Sequence, residues 1–117
     1  MYITVSKSNL VKTLSHLYRI VEKKSTIPVL SNVKIEAADS LKFTATNIDL
    51  EIIEILEGTV NEKGSITIPV HVLYDIVRKL PDKYINIDVI DDMKILIYTD
   101  NKNSECNLNG INEHEYP

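Results

Sequence analysis

The sequence predicts an α+β domain in which a strand–helix–strands unit occurs twice, with two helices packed on antiparallel sheet. Three observations carry this prediction. Apolar residues recur at helical spacing in two segments, Leu10 to Val21 and Leu73 to Leu80. Short runs after each segment alternate apolar with polar residues, as half-buried strands do. Finally, Ile66-Thr67-Ile68 repeats the pattern of Ile3-Thr4-Val5 at an offset of 63 residues. The same offset carries Leu10, Leu14 and Leu17 onto Leu73, Val77 and Leu80. The 117 residues suit one domain, and 44% apolar residues are enough for its core.

Met1 to Val5 reads as a strand, and Ser6 or Ser8 can cap the helix that follows, because a side-chain oxygen accepts an orphan amide proton there. Leu10, Leu14, Leu17 and Val21 fall within about 60° of one another on a helix. Lys12, His16, Arg19 and Lys23 share that spacing, rotated by roughly 160°. Ser25-Thr26-Ile27-Pro28 ends the helix, since the residue before proline is pushed from helical geometry. Val33, Ile35 and Ala37 mark one strand and Leu41, Phe43 and Ala45 the next, joined through a turn at Asp39-Ser40. Leu50 to Leu56 is a third.

The pattern then restarts. Gly64-Ser65 is expected to turn the chain into the strand Ile66 to Ile68. Pro69 stands where a helix-opening proline costs no hydrogen bond. Leu73, Ile76, Val77 and Leu80 form the apolar face of the second helix, which Pro81 stops. Ile85, Ile87 and Val89 make a strand, Asp91-Asp92 a turn, and Ile95 with Ile97, then Cys106 with Leu108, two more.

Net charge is −4, which by itself argues against a nucleic-acid partner, but its distribution reverses that inference. Residues 1–24 carry +4 and residues 66–83 carry +1, whereas residues 25–65 and 84–117 carry −4 and −5. The positive charge therefore concentrates in the two helical segments. His71 and Arg78, seven apart, fall on the side of the second helix away from its leucine face, with Tyr74 and Asp75 between them. Two outward basic helices on an otherwise acidic domain suit a polyanion, contacted through phosphates without base readout. A small interaction module whose basic helices dock an acidic protein is the alternative.

Catalytic patterns are missing from the sequence. The three glycines are scattered and form no phosphate loop, and Cys106 is the only cysteine, read as a small apolar residue. His16, His71 and His114 lack metal-ligand spacing, so neither metal nor cofactor is expected. Asp49, Glu51 and Glu54 are read as a solvated sheet face. No apolar run approaches a membrane span, nor does the N-terminus carry the apolar stretch of a signal peptide.

Four stretches carry a family resemblance over the whole chain. Thr26-Ile27-Pro28-Val29-Leu30-Ser31-Asn32, Thr44-Ala45-Thr46-Asn47-Ile48-Asp49-Leu50-Glu51, Ile68-Pro69 with Asp75 to Pro81, and the closing Glu115-Tyr116-Pro117 resemble the first domain of bacterial DNA sliding clamps, the DNA polymerase III beta subunits. The resemblance implies a DNA-clamp domain and a non-catalytic processivity factor that tethers the replicative polymerase to double-stranded DNA. It implies a bacterial, cytoplasmic protein, whose three-domain subunits close head to tail into a dimeric ring with helices lining the hole. Residues 1–117 would be the first domain, without the second and third. Contacts with the polymerase, the clamp loader and clamp-motif peptides would lie in those other domains. Matching positions give DNA-contact roles to Lys24 and His71, with Arg78, Lys12, Arg19 and Lys23 as secondary contacts. Arginine is familiar at position 71, and a neutral histidine there would weaken a phosphate contact near pH 7. Ile76, Cys106 and Leu108 match the apolar patch that meets the other subunit. Cys106 stands in place of a bulkier aromatic, and Asn103 and Glu105 stand where relatives often carry basic residues, so the implied ring interface differs in size and charge.

Overall fold

The computed structural model describes residues 1–21, 32–47, 49–81, 83–91, 94–100 and 105–109. They form β1 (Tyr2–Ser6), α1 (Lys7–Tyr18), β2 (Asn32–Ala37), β3 (Leu41–Thr46), β4 (Glu51–Leu56), β5 (Thr59–Glu62), β6 (Gly64–Pro69), α2 (Val70–Lys79), β7 (Tyr84–Asp91), β8 (Lys94–Thr99) and β9 (Glu105–Asn109). The α+β class and the doubled strand–helix–strands order are as the sequence predicts.

Ser6 is the residue that caps α1, its hydroxyl accepting from Asn9 N–H at 3.2 Å. α1 stops at Tyr18, short of Val21, where a turn begins with Ile20 N–H donating to Leu17 C=O. Val21 is nevertheless buried and belongs to the core. The expected stop at Ser25 to Pro28 lies outside the described residues, as does Asp92. Asp39-Ser40 does turn the chain, with Ala38 N–H bonded to Ser40 C=O and Ala37 paired with Leu41.

Gly64 corrects the sequence reading, for it opens strand β6 opposite Ala37. Its φ of +156° and the 3.0 Å approach of a would-be Cβ to Met1 Cβ explain why glycine stands there. β5 was not expected. It holds one apolar residue, Val60, and is recruited by backbone pairing to β1.

All pairings are antiparallel, in a five-stranded sheet ordered β5-β1-β7-β8-β9 and a four-stranded sheet ordered β4-β3-β2-β6. The two repeats exchange their first strands. β1 completes the sheet of β7, β8 and β9, whereas β6 completes that of β2, β3 and β4. Ile3 thus sits beside Ile87, as Ile66 sits beside Ile35. The inward faces of both sheets and the leucine faces of both helices share one core, which includes Ile3, Leu10, Leu14, Leu17, Ile35 and Phe43. Each fully buried Leu or Ile contributes roughly 1.5–3 kcal/mol of transfer free energy. That drive holds the helices against the sheets.

The outward face of the five-stranded sheet is polar and tied together. Asn61 donates to Thr4 Oγ1 at 3.0 Å, Thr4 donates to Asn86 Oδ1 at 2.6 Å, and Asn86 donates to Asp100 Oδ1 at 3.0 Å. Next to this chain, a hydrogen bond with Tyr2, then burial, then the negative charge of Asp88 and Asp100 push the Tyr98 phenol well above its ordinary ionisation range.

Candidate nucleic-acid interface

α1 and α2 lie side by side and antiparallel, and each helps terminate the other. The Lys7 ammonium, in the first turn of α1, donates to Leu80 C=O at 2.5 Å and to Arg78 C=O at 3.2 Å, at the end of α2. A cation there also complements the negative end of the helix dipole. At the opposite end, His71 in the first turn of α2 donates its Nε2–H to Val21 C=O at 3.0 Å. The Asn47 amide adds a bond to Ile20 C=O at 3.2 Å, while its Oδ1 accepts Asp49 and Leu50 N–H. The carbonyls of the turn that follows α1 are thus met by α2 and by the β3–β4 turn.

Lys12 on α1 and Arg19 at its C-terminal cap stand exposed, and neither has an acidic partner among the described residues. His16, between them in the stripe, bonds Glu54 at 3.0 Å with its side chain 46% exposed. Glu54 departs from the solvated-face expectation. It lies opposite Phe43 on the core-facing side of β4, with Oε2 enclosed and unpartnered, while Asp49 and Glu51 are exposed.

Arg78 is exposed but not free. It pairs with Asp75 and lies 4.4 Å over the Tyr74 ring. His71 corrects the outward placement. It is half-buried in the seam between the helices, 4.3 Å from the Tyr18 ring in an edge-on contact, and its Nδ1 is enclosed without a partner among the described residues. Tyr18 also meets Tyr74 at 5.1 Å. Lys23 and Lys24 lie outside the described residues. Lys7, Asn47, Tyr18 and Tyr74 were not singled out by the sequence as site residues. Of these, only Asn47 carried a local sign, standing at a strand end before an acidic turn. Lys79, exposed in the last turn of α2, adds a cation that the sequence reading left unassigned.

Of the residues matched to the subunit contact, Ile76 lies on α2, and Cys106 and Leu108 lie on β9. Cys106 and Leu108 are half-buried on the core-facing side of β9, where Cys106 ends the row Ile3, Ile87, Ile97 and Leu108 stands beside Ile95. Ile76 and Leu108 both pack against the main core. β9 is an edge strand, so one side of its backbone is without a neighbour among the described residues. No cluster of His, Cys, Asp or Glu suited to a metal occurs among the described residues. No helix there is long and apolar enough to cross a membrane.

A family model described as the DNA polymerase III beta subunit, N-terminal domain, matches residues 1–117. The beta sliding clamp of Caulobacter vibrioides is 46% identical over 83 residues, covering 70% of this chain and 22% of that protein. The beta sliding clamp of Bacillus subtilis is 32% identical over 126 residues, covering all of this chain and 33% of that protein. A crystal structure of the DNA polymerase III beta subunit sliding clamp from Bartonella birtlesii superposes with a TM-score of 0.91 at 38% identity, over all of this chain and 33% of that one. The chain therefore spans a third or less of the length of these relatives.

Proposed function

Because the chain belongs to the DNA polymerase III beta subunit family, in which it matches the N-terminal domain, we propose that it forms one wall of a ring around duplex DNA. The ring acts as a processivity factor for the replicative polymerase and catalyses nothing itself. Residues 1–117 are its first domain, followed in the whole subunit by two more that carry the polymerase and loader contacts. The protein works in the bacterial cytoplasm.

The observation that carries this reading is the exposed pair Lys12, on α1, and Arg19, at its C-terminal cap, neither with an acidic partner among the described residues, beside α2 with Arg78 and Lys79. These cations contact phosphates, and Lys23 and Lys24, which lie outside the described residues, are given the same role by their match to the family. His71 serves differently, positioning the turn that follows α1 through Val21 C=O. Ile76, Cys106 and Leu108 form one half of the head-to-tail subunit contact, with β9 offering its open edge to the neighbouring sheet. A closed ring cannot leave DNA sideways, so individual contacts stay weak and sliding stays fast.

The test is retention of duplex DNA by the 117-residue chain as salt is raised. Neutralising about three phosphates gives a log–log slope near −2.7, or roughly a 40-fold loss of affinity between 50 and 200 mM salt. Lys12→Glu and Arg19→Glu weaken retention of every duplex sequence alike and flatten that slope by about one each. A sequence-specific footprint insensitive to salt would overturn the reading. Retention unchanged by either reversal would instead favour basic helices that dock an acidic protein.

A further inference from the structure

The ends of the two helices that Lys7 joins leave a groove of about 610 Å³ lined by Lys7, Ser8, Val11, Lys12, Pro81 and Lys83. This volume falls in the range of ligand sites, about 300–1,000 Å³. We propose that the groove is a docking site for a short acidic peptide segment of a partner protein, carrying one bulky aliphatic side chain. The proposal does not depend on DNA binding.

Three features select this occupant. The floor is apolar, made by Val11, Pro81 and the stems of the lysines, and a water-filled groove of that kind gains free energy when an aliphatic group displaces the water. The rim is cationic. Lys7 already donates to two carbonyls, but Lys12 and Lys83 are exposed and have no carboxylate partner among the described residues. Two ammonium groups flanking an apolar floor match carboxylates placed on either side of an aliphatic side chain. Among the described residues no aromatic or guanidinium group lines the groove, so these residues offer no stacking surface of the kind that unpaired bases require. A duplex backbone would use the lysines and leave the floor wet.

The experiment is fluorescence anisotropy of the 117-residue chain with the labelled pentapeptide Asp-Glu-Leu-Glu-Asp. Two companions carry Ala for Leu, or Asn and Gln for the acids. Both are expected to bind about tenfold or more weakly, since each removes one of the two matched features. Lys83→Glu lowers affinity for the parent peptide, and so does Ser8→Leu, which fills the groove from the exposed side of α1. Circular dichroism establishes that both variants fold. If the Leu and Ala peptides bind equally, the groove is only a charged patch and the proposal fails. It fails as well if Ser8→Leu, folded, binds the parent peptide as the unaltered chain does. Neither outcome bears on duplex retention, which Arg19, not among the groove's lining residues, tests separately.

Discussion

Replacing Lys7 by methionine removes an ammonium group and keeps most of its stem, so it isolates the bonds that tie the start of α1 to the end of α2. The contact with Leu80 C=O is part-buried at 2.5 Å, while that with Arg78 C=O is exposed at 3.2 Å. A hydrogen bond from a charged donor is worth about 1.5–3 kcal/mol, and a cation at a helix C-terminus about 0.3–1 kcal/mol. Discounting the exposed bond, the substitution should cost roughly 1.5–2.5 kcal/mol. For a domain of this size that is a fall in Tm of about 6–10 °C. The Lys7 N–H bond to Lys83 C=O at 2.7 Å survives, so the strand entering β7 keeps its anchor. Lys12→Met is the control, the same change five residues along the same helix where the ammonium has no partner among the described residues, expected within about 0.5 kcal/mol of the unaltered chain. Urea denaturation followed by far-ultraviolet circular dichroism gives both values. If the two variants differ by less than about 0.5 kcal/mol, Lys7 does not cap α2 and the reciprocal bracing of the helices is wrong.

Other outcomes follow from the same geometry. Leu14, wholly buried, should cost about 2–5 kcal/mol on replacement by alanine, whereas Ile55→Thr, at a position 62% exposed, should stay within about 0.5 kcal/mol in the same urea titration. Asn86→Ala should cost about 1–3 kcal/mol, because Asn86 is 3% exposed and bonds Thr4 and Asp100; a double-mutant cycle with Thr4→Val should return a non-zero coupling. Alkaline titration at 295 nm should find one tyrosine, Tyr98, still un-ionised above the ordinary range near pH 10, and Tyr2→Phe should return it toward that range. Since the folded state raises this phenol, its stabilising contribution is complete below about pH 10 and is lost as pH rises above that, while the unfolded chain ionises first.

The parts of the fold that were legible in sequence are those written in local spacing. Leu10, Leu14 and Leu17 marked the buried stripe of α1, and the alternation Val33, Ile35, Ala37 marked β2. Thr59 to Glu62 offered no such alternation, because an edge strand held by backbone bonds need not bury side chains. The exchange of β1 and β6 was equally silent, since pairing of Ile3 with Ile87 follows from how sheets close in space. The same distinction divides the candidate site. Lys12 and Arg19 were found because exposure opposite a leucine stripe follows from angle alone. His71 lies at a similar angle on α2 yet is half-buried, because a second helix covers the flank of the first and Tyr18 reaches across. An angle measured on one helix cannot register a neighbour. The pairing of Arg78 with Asp75, by contrast, was implicit in their spacing of three residues and was visible as a dilution of the basic face.

The exchange of first strands also constrains the order in which the chain can become a protein. β2, β3 and β4 can form a meander from neighbouring residues, but their sheet lacks its fourth strand until β6 is made. β1 waits longer, because Tyr2 to Ser6 pair with Asp88 to Tyr84 on one side and with Thr59 to Glu62 on the other. During synthesis β1 therefore leaves the ribosome well before either of the strands it pairs with. Contacts so distant in sequence carry a large loop-closure cost before they return any energy, which slows folding and joins both repeats in a single cooperative step. Neither half can serve as a folding unit by itself, although each carries its own helix and its own three strands.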